Sequence, residues 1–424
     1  MFNVEKKTLP NGIRLLMSPQ HETKAVTLLF LVGTGSRFET PELNGISHFL
    51  EHILFKGTKK YPSPLLLSET LDGIGANFNA YTSQEYTGFY VQAEASHFPL
   101  IADVLHEMFY QPSYASEDIE REKGVIVEEI NMYRDLPQRH VGDVLFELLY
   151  GNSTPMGRNI AGTKETVTSF TNKTFAQYQS QFYTPDNIIV SVSGNPGTSN
   201  WEKELTHLLG DKQGARARGF EAVVGVQQNP RVRVEHRETD QTHLMLGLPT
   251  FKETDDRLPI LSVLNTIFGG SMSSRLFSEI REKRGLAYYV RSGEDTFHDT
   301  GLLGIATGVR NAEAKEALKV ILTELKRLKE EPVTAAELKK AKEHFKGKLA
   351  LGLEGSSEVG SFVAQQELYY GKIIQPEEMI DRVEAVTAEQ IQMLSNEFFT
   401  RSSLNLAAVG PFKDQDFLPI LEKW

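Results

Sequence analysis

His48, Glu51 and His52 stand at i, i+3 and i+4 within residues 44–58, which read NGISHFLEHILFKGT. On a helix turning about 100° per residue these three side chains share one face, so two imidazoles one turn apart can grip a single metal ion beside a carboxylate. Ile46, Phe49, Leu50, Ile53 and Leu54 fill most of the remaining circumference. That pattern predicts a helix packed into the protein with one polar stripe. An amphipathic helix that merely turns two histidines to solvent would show the same triplet, so the reading depends on a further ligand.

The order H-x-x-E-H presents the groups of the metalloprotease arrangement H-E-x-x-H with chain direction reversed, and the chemistry can be the same: the glutamate takes a proton from metal-activated water. A tetrahedral catalytic zinc site needs three protein ligands and keeps the fourth position open. The chain has no cysteine, so the third ligand must be a histidine or a carboxylate. Residues 117–133 (EDIEREKGVIVEEINMY) supply candidates, with Ser116 as the expected N-cap. Glu122 and Glu129 are seven apart and share a stripe, while Glu128 is rotated off it. Spacing alone does not choose between Glu128 and Glu129, and a solvated acidic face would explain either one taken singly.

Elements must position these groups. A turn at Pro10-Asn11-Gly12 leads into strands over residues 13–17 and 25–32, then the histidine helix, then a Thr/Tyr/Phe-rich strand near Asn79. An amphipathic helix over residues 100–110 precedes the acidic helix, and a strand over residues 188–192 ends at Gly194. The expected class is α+β: two duplicated domains, each an antiparallel-rich sheet with helices on one face. The repeat is visible in Gln181-Phe182-Tyr183-Thr184 through Gly194, which returns as Glu397-Phe398-Phe399-Thr400 through Gly410, 216 residues later. Residues 27–32 likewise resemble residues 243–248. Placing Phe55 on Phe268 sets Leu261, Leu264 and Asn265 opposite His48, Glu51 and His52, and Lys348 falls opposite Glu129. The second copy cannot hold the metal. The expected division is residues 1–208 with the metal, a Gly/Gln/Arg-rich linker over 209–230, and residues 231–424 without it. Residues 351–357 read as an internal turn. His97, His106, His140 and His298 have no metal-ligand spacing.

The chain has 424 residues, 40% hydrophobic and 24% charged, enough to bury a substantial core. A net charge of -11 argues against nucleic acid as a partner, because neutralising phosphates needs surplus Lys and Arg. No run of about 18 apolar residues occurs and the start lacks a secretory pattern, so no membrane partner is expected. Absence of cysteine suits a reducing cytoplasm.

H-x-x-E-H with a glutamate in V-x-x-E-E-I context, 76 residues lying between His52 and Glu129, resembles the inverzincin zinc peptidases of the pitrilysin, insulin-degrading enzyme and mitochondrial processing peptidase family. That resemblance implies one Zn2+ per chain held by His48, His52 and Glu129, with Glu51 as general base and Glu122 supporting the ligands from behind. Residues 73–87 resemble the family's G-x-x-x-N-A-x-T-x-x-E-x-T segment, where Asn79 and Ala80 match the sheet edge that receives an extended peptide. Residues 269–290 resemble the segment whose arginine and tyrosine, here Arg281 and Tyr288, reach the zinc site of an opposing half and steady the substrate carbonyl. Short two-domain family members pair to enclose a chamber. Since this chain carries both the metal triad and the Arg-Tyr pair, the resemblance implies a homodimeric endopeptidase acting on short or unfolded peptides. A catalytically inactive structural or peptide-binding relative of the same fold is the alternative.

Overall fold

Residues 25–32 read AVTLLFLV, an apolar run without the alternation of a half-exposed strand, and the structure gives the reason: both faces of this strand are buried. The computed structural model describes residues 3–215, 219–225 and 227–424. Six strands form the first sheet: β1 (Glu5–Thr8), β2 (Arg14–Pro19), β3 (Ala25–Val32), β4 (Asn77–Thr82), β5 (Thr87–Glu94) and β6 (Ile188–Gly194), in the order β1-β2-β6-β3-β5-β4. Five form the second: β7 (Arg231–His236), β8 (Gln241–Thr250), β9 (Ala287–Thr296), β10 (Gly301–Arg310) and β11 (Asn405–Gly410), in the order β7-β11-β8-β10-β9. Without β1 the two orders correspond strand for strand. Each has a single parallel pairing, β2 with β6 and β7 with β11, while the remaining ladders are antiparallel.

The duplication read from the sequence is thus a duplication of structure. Helix Asn172–Phe182, the turn Pro185–Asn187 and β6 recur as helix Ala388–Phe398, the turn Arg401–Ser403 and β11. The expected α+β class holds, with one difference in layering. Leu28, Phe30 and Val32 face one core together with Val104, Leu105 and Met108 of helix Phe98–Tyr110. Leu29 and Leu31 face the other way, onto Val363 and Ala364 of helix Ser356–Tyr370. The first sheet therefore carries helices on both faces. The second sheet is built alike: Leu406 and Ala408 face the larger core, whereas Ala407 and Val409 pack on Val141, Val144 and Leu145 of helix Pro137–Tyr150.

Those two covering helices come from the opposite halves of the chain. Contacts group it into one unit of Met1–Asn131, Arg158–Glu221 and Ala350–Gln375, and a second of Met132–Gly157, Ala222–Leu349 and Pro376–Trp424. This differs from the linear cut at 208 and 231, because a helix's periodicity shows that one face is apolar but not which sheet it will meet. Residues 351–357, expected as an internal turn, follow directly on the point where the chain passes from one unit to the other. Of the expected linker 209–230, residues 216–218 and 226 lie outside the described residues. Phe220 in the same stretch is packed: its ring lies 4.0 Å from the Arg37 guanidinium and 5.7 Å from the Phe38 ring. No helix among the described residues is long and apolar enough to cross a membrane.

The histidine helix spans Ile46–Ile53 and buries Ile46, Phe49, Leu50 and Ile53, the apolar face expected from the sequence. Phe49 packs edge-on against Phe175 with centroids 4.8 Å apart. At the start of this helix Gly45 (φ 94°) lies against Gly162 (φ 78°). A Cβ on Gly162 would stand 2.4 Å from the Asn44 carbonyl oxygen, and one on Gly45 would stand 2.6 Å from that of Ala161. Both left-handed backbone and close approach require glycine here. Gly162→Ala is therefore expected to cost about 2 kcal/mol or more in chemical denaturation, and an unchanged unfolding midpoint would contradict the packing described.

Candidate metal centre

The carboxylate of Glu39 holds the first turn of the histidine helix. It accepts from the backbone N–H of Gly45 and of Ser47, each at 2.8 Å, and from Asn44 Nδ2 at 3.1 Å. A distant side chain thus does the capping that Gly45 cannot, at the end of the helix that favours negative charge. Burial nevertheless pushes the Glu39 carboxyl up to about 7, against the lowering pull of those donors.

From this helix His48 and His52 project on one face, their ring centroids 4.7 Å apart. The second contributor is the acidic helix Ser116–Arg134. Glu129 Oε2 lies 3.7 Å from His48 Nε2 and 3.5 Å from His52 Nε2. One ligand atom from each of the three residues falls within 4.8 Å of the others, and no other such group of His, Cys, Asp and Glu is found among the described residues. Glu128 is exposed and outside the group.

The donor set fits zinc. Two ligands about 2.05 Å from a tetrahedral ion stand roughly 3.4 Å apart, close to the separations seen here and too long for good hydrogen bonds. Charge agrees with this. Burial, with repulsion from His52, pushes the His48 imidazole down to about 3, so it stays neutral and keeps a lone pair to offer. The His52 Nδ1 lies 2.9 Å from Glu122 Oε1. An ionised carboxylate only accepts, so that nitrogen carries the proton and Nε2 is left free toward Glu129. His48 has no matching support, its Nδ1 being buried without a partner. Burial alone would raise Glu122, but the donors His52 and Lys56 outweigh it and hold the carboxyl below its usual range. Lys56 Nζ stands 2.8 Å from Glu122 Oε2.

Glu51 lies beside the three donors, and its Oε2 accepts from the Thr82 hydroxyl at 2.6 Å. Burial pushes the Glu51 carboxyl up, with Glu129 adding repulsion, while Thr82 and His52 pull it down. A dication at the three donors would oppose that rise. Asn79 and Ala80 lie on β4, at the edge of the first sheet. Beside them runs a groove of about 490 Å³, lined by Ala76, Asn77, Phe78, Asn79, Tyr90 and Gln92 together with Ser357 and Glu358 of the exchanged helix. The Asn79 Oδ1 accepts from the Ala80 N–H at 2.9 Å.

Arg281 and Tyr288 belong to the second unit. There they form a pair of their own, the guanidinium 5.0 Å from the Tyr288 ring and 4.9 Å from that of Phe277, with Tyr288 81% exposed. In that unit Leu261 and Leu264, opposite His48 and Glu51, are buried in the apolar core. Sequence reasoning missed Glu39, Lys56 and Thr82. Lys56 had a signal, since it follows His52 at i+4, and Thr82 fills the threonine position of the segment matched over residues 73–87; Glu39 acts across elements and had none in its own spacing.

Residues 14–164 match the family described as Insulinase (Peptidase family M16), and residues 169–345 match the Peptidase M16 inactive domain. The uncharacterized zinc protease YmxG of Bacillus subtilis is 37% identical over 96% of this chain and 98% of its own. An uncharacterized zinc protease of Streptomyces coelicolor is 34% identical over 97% of this chain and 90% of its own. Among solved structures, a protease from Helicobacter pylori superposes with a TM-score of 0.91 at 22% identity, covering 97% of this chain and 100% of that one. A peptidase M16 inactive domain from Pseudomonas fluorescens gives 0.89 at 19% identity, over 97% and 98%. At those identities the two structures bear on the fold alone.

If Glu122 orients His52 as the geometry indicates, Glu122→Gln weakens zinc binding by about 10- to 100-fold. Competition with a chromophoric chelator measures this directly, and an affinity equal to that of the unaltered protein would remove Glu122 from the site.

Proposed function

The chain belongs to peptidase family M16, and from that premise we propose that it is a zinc-dependent endopeptidase hydrolysing short or unfolded peptides. The observation that carries this reading is the convergence of His48, His52 and Glu129 next to a carboxylate, Glu51, that is not one of the three donors.

In this reading His48, His52 and Glu129 hold the ion, which when bound supplies a Lewis acid for the scissile carbonyl and a water of lowered pKa. Glu51 accepts a proton from the attacking water on the carboxylate oxygen that Thr82 leaves free, then delivers it to the leaving amine. Glu122 keeps the His52 ring in one tautomer and orientation, and Lys56 balances its charge. Along the β4 edge an extended peptide gains main-chain hydrogen bonds indifferent to side-chain identity, with Asn79 and Ala80 beside it, which suits a broad sequence range. Arg281 and Tyr288 are donors of the kind that steady a developing oxyanion. Since both the metal group and this pair occur in one chain, the reading assigns a homodimer in which each metal site faces Arg281 and Tyr288 of the partner subunit, around a chamber that folded proteins cannot enter. The absence of cysteine and of a membrane-spanning helix among the described residues suits a cytoplasmic enzyme.

The competing reading is a relative with the same fold that binds peptides without cutting them. Loss of metal ligands would mark such a protein; here the donors are intact in the first unit, and only in the second do Leu261, Asn265 and Lys348 stand in their places.

Cleavage of a quenched peptide that a chelator stops and zinc restores is the test of the activity. Glu51→Gln should retain one zinc per chain and lose turnover by about a thousandfold or more, and His52→Ala should lose both; full activity in Glu51→Gln would overturn the role given to that residue. The partner arrangement has its own test. Mixing Glu51→Gln with Arg281→Ala, each inactive alone, should restore up to about a quarter of normal activity, because one site in each mixed dimer is then complete. No recovery after subunit exchange would place the arginine's action within its own chain.

A further inference from the structure

The hydroxyl of Thr82 donates to Glu51 Oε2 at 2.6 Å. Glu51 has three side-chain torsions and sits in the last turn of a short helix, so left to itself it would sample several orientations. Thr82, by contrast, is β-branched and stiff at its first torsion. It also sits on a firm mount. It pairs with Thr87 at the end of the β4–β5 ladder, and the turn beyond it is closed by Ser83 N–H to the Tyr86 carbonyl at 2.9 Å. That turn is tied down from behind: Ser36 N–H donates to the Ser83 carbonyl at 3.1 Å and Arg37 N–H to that of Gln84 at 2.8 Å. The Arg37 guanidinium and the Glu85 carboxylate meet at 2.6 Å with side-chain exposures of 0% and 1%. Either charge of a buried ion pair of this kind would be costly if left alone, so breaking the contact between the turn and residue 37 is disfavoured.

Period-two alternation puts Thr82 on the same face of β4 as Ala80, and the edge of that strand lines the groove beside Asn79. One strand therefore carries both the free sheet edge that the endopeptidase reading gives to a peptide and the hydroxyl that holds Glu51. We propose that Thr82 is a positioning residue for the reaction, fixing one oxygen of Glu51 so that the other is presented for proton transfer in register with a peptide on β4. The inference rests on the endopeptidase reading given above.

The test uses the full-length, zinc-loaded protein with Thr82→Val, which keeps the shape and removes the hydroxyl, and Thr82→Ser, which keeps the hydroxyl. Thr82→Val should lower kcat about 10- to 100-fold with KM nearly unchanged, zinc content and unfolding temperature staying at their normal values. Thr82→Ser should recover kcat to within about threefold of normal. A role confined to packing would move the unfolding temperature and would not be rescued by serine. If Thr82→Val fails to fold, Thr82→Ala carries the same comparison. Thr82→Val cleaving at the normal rate, serine failing as valine does, or loss of zinc accompanying the loss of rate would each overturn the proposal. An unaltered protein that cleaves nothing when loaded with zinc would instead overturn the endopeptidase reading itself.

Discussion

Two histidines and a glutamate can converge on one point only if the helices carrying them are fixed against each other, and nearly every other feature around the centre serves that condition. The histidine helix is short and begins at a glycine without a capping side chain, so its position depends on Glu39, on the Gly45–Gly162 contact and on Phe49 among the aromatic rings. The acidic helix is held to it by a buried carboxylate, Glu122, shared between His52 and Lys56. A carboxylate so enclosed would be costly if unpaired. With a cation on one oxygen and an imidazole N–H on the other, the same burial makes it directional.

The site was legible where its logic is local. A helix puts i, i+3 and i+4 together whatever surrounds it, so His48, Glu51 and His52 could be grouped without a structure. Choosing Glu129 over Glu128 needed a family resemblance, because both lie on a polar helix and only a tertiary contact separates them. Glu39 reaches the site from a loop that no periodicity marks; Thr82 reaches it from a strand, at the threonine of a matched segment, but its contact with Glu51 is a tertiary one. Lys56 could have been found by extending the polar stripe by one more turn.

The fold shows the same division. Strand positions, the α+β class and the 216-residue repeat followed from apolar patterning and from matching segments. The exchange of covering helices did not. The run AVTLLFLV requires that both faces of β3 be covered, yet says nothing of what covers the second one. In the second copy of the fold, leucines stand where the first has a histidine and a glutamate, and the groups freed of metal chemistry include the half-buried Arg281 and the exposed Tyr288.

The exchanged helices also set a timetable for synthesis. The second face of the first sheet, with Leu16, Leu29, Leu31 and Ile189, stays bare until Val363 and Ala364 have left the ribosome, although its last strand is complete by Gly194. For much of translation the nascent chain therefore displays a greasy surface with no native cover. The half that bears the histidines is finished only once the chain has been made as far as Gln375.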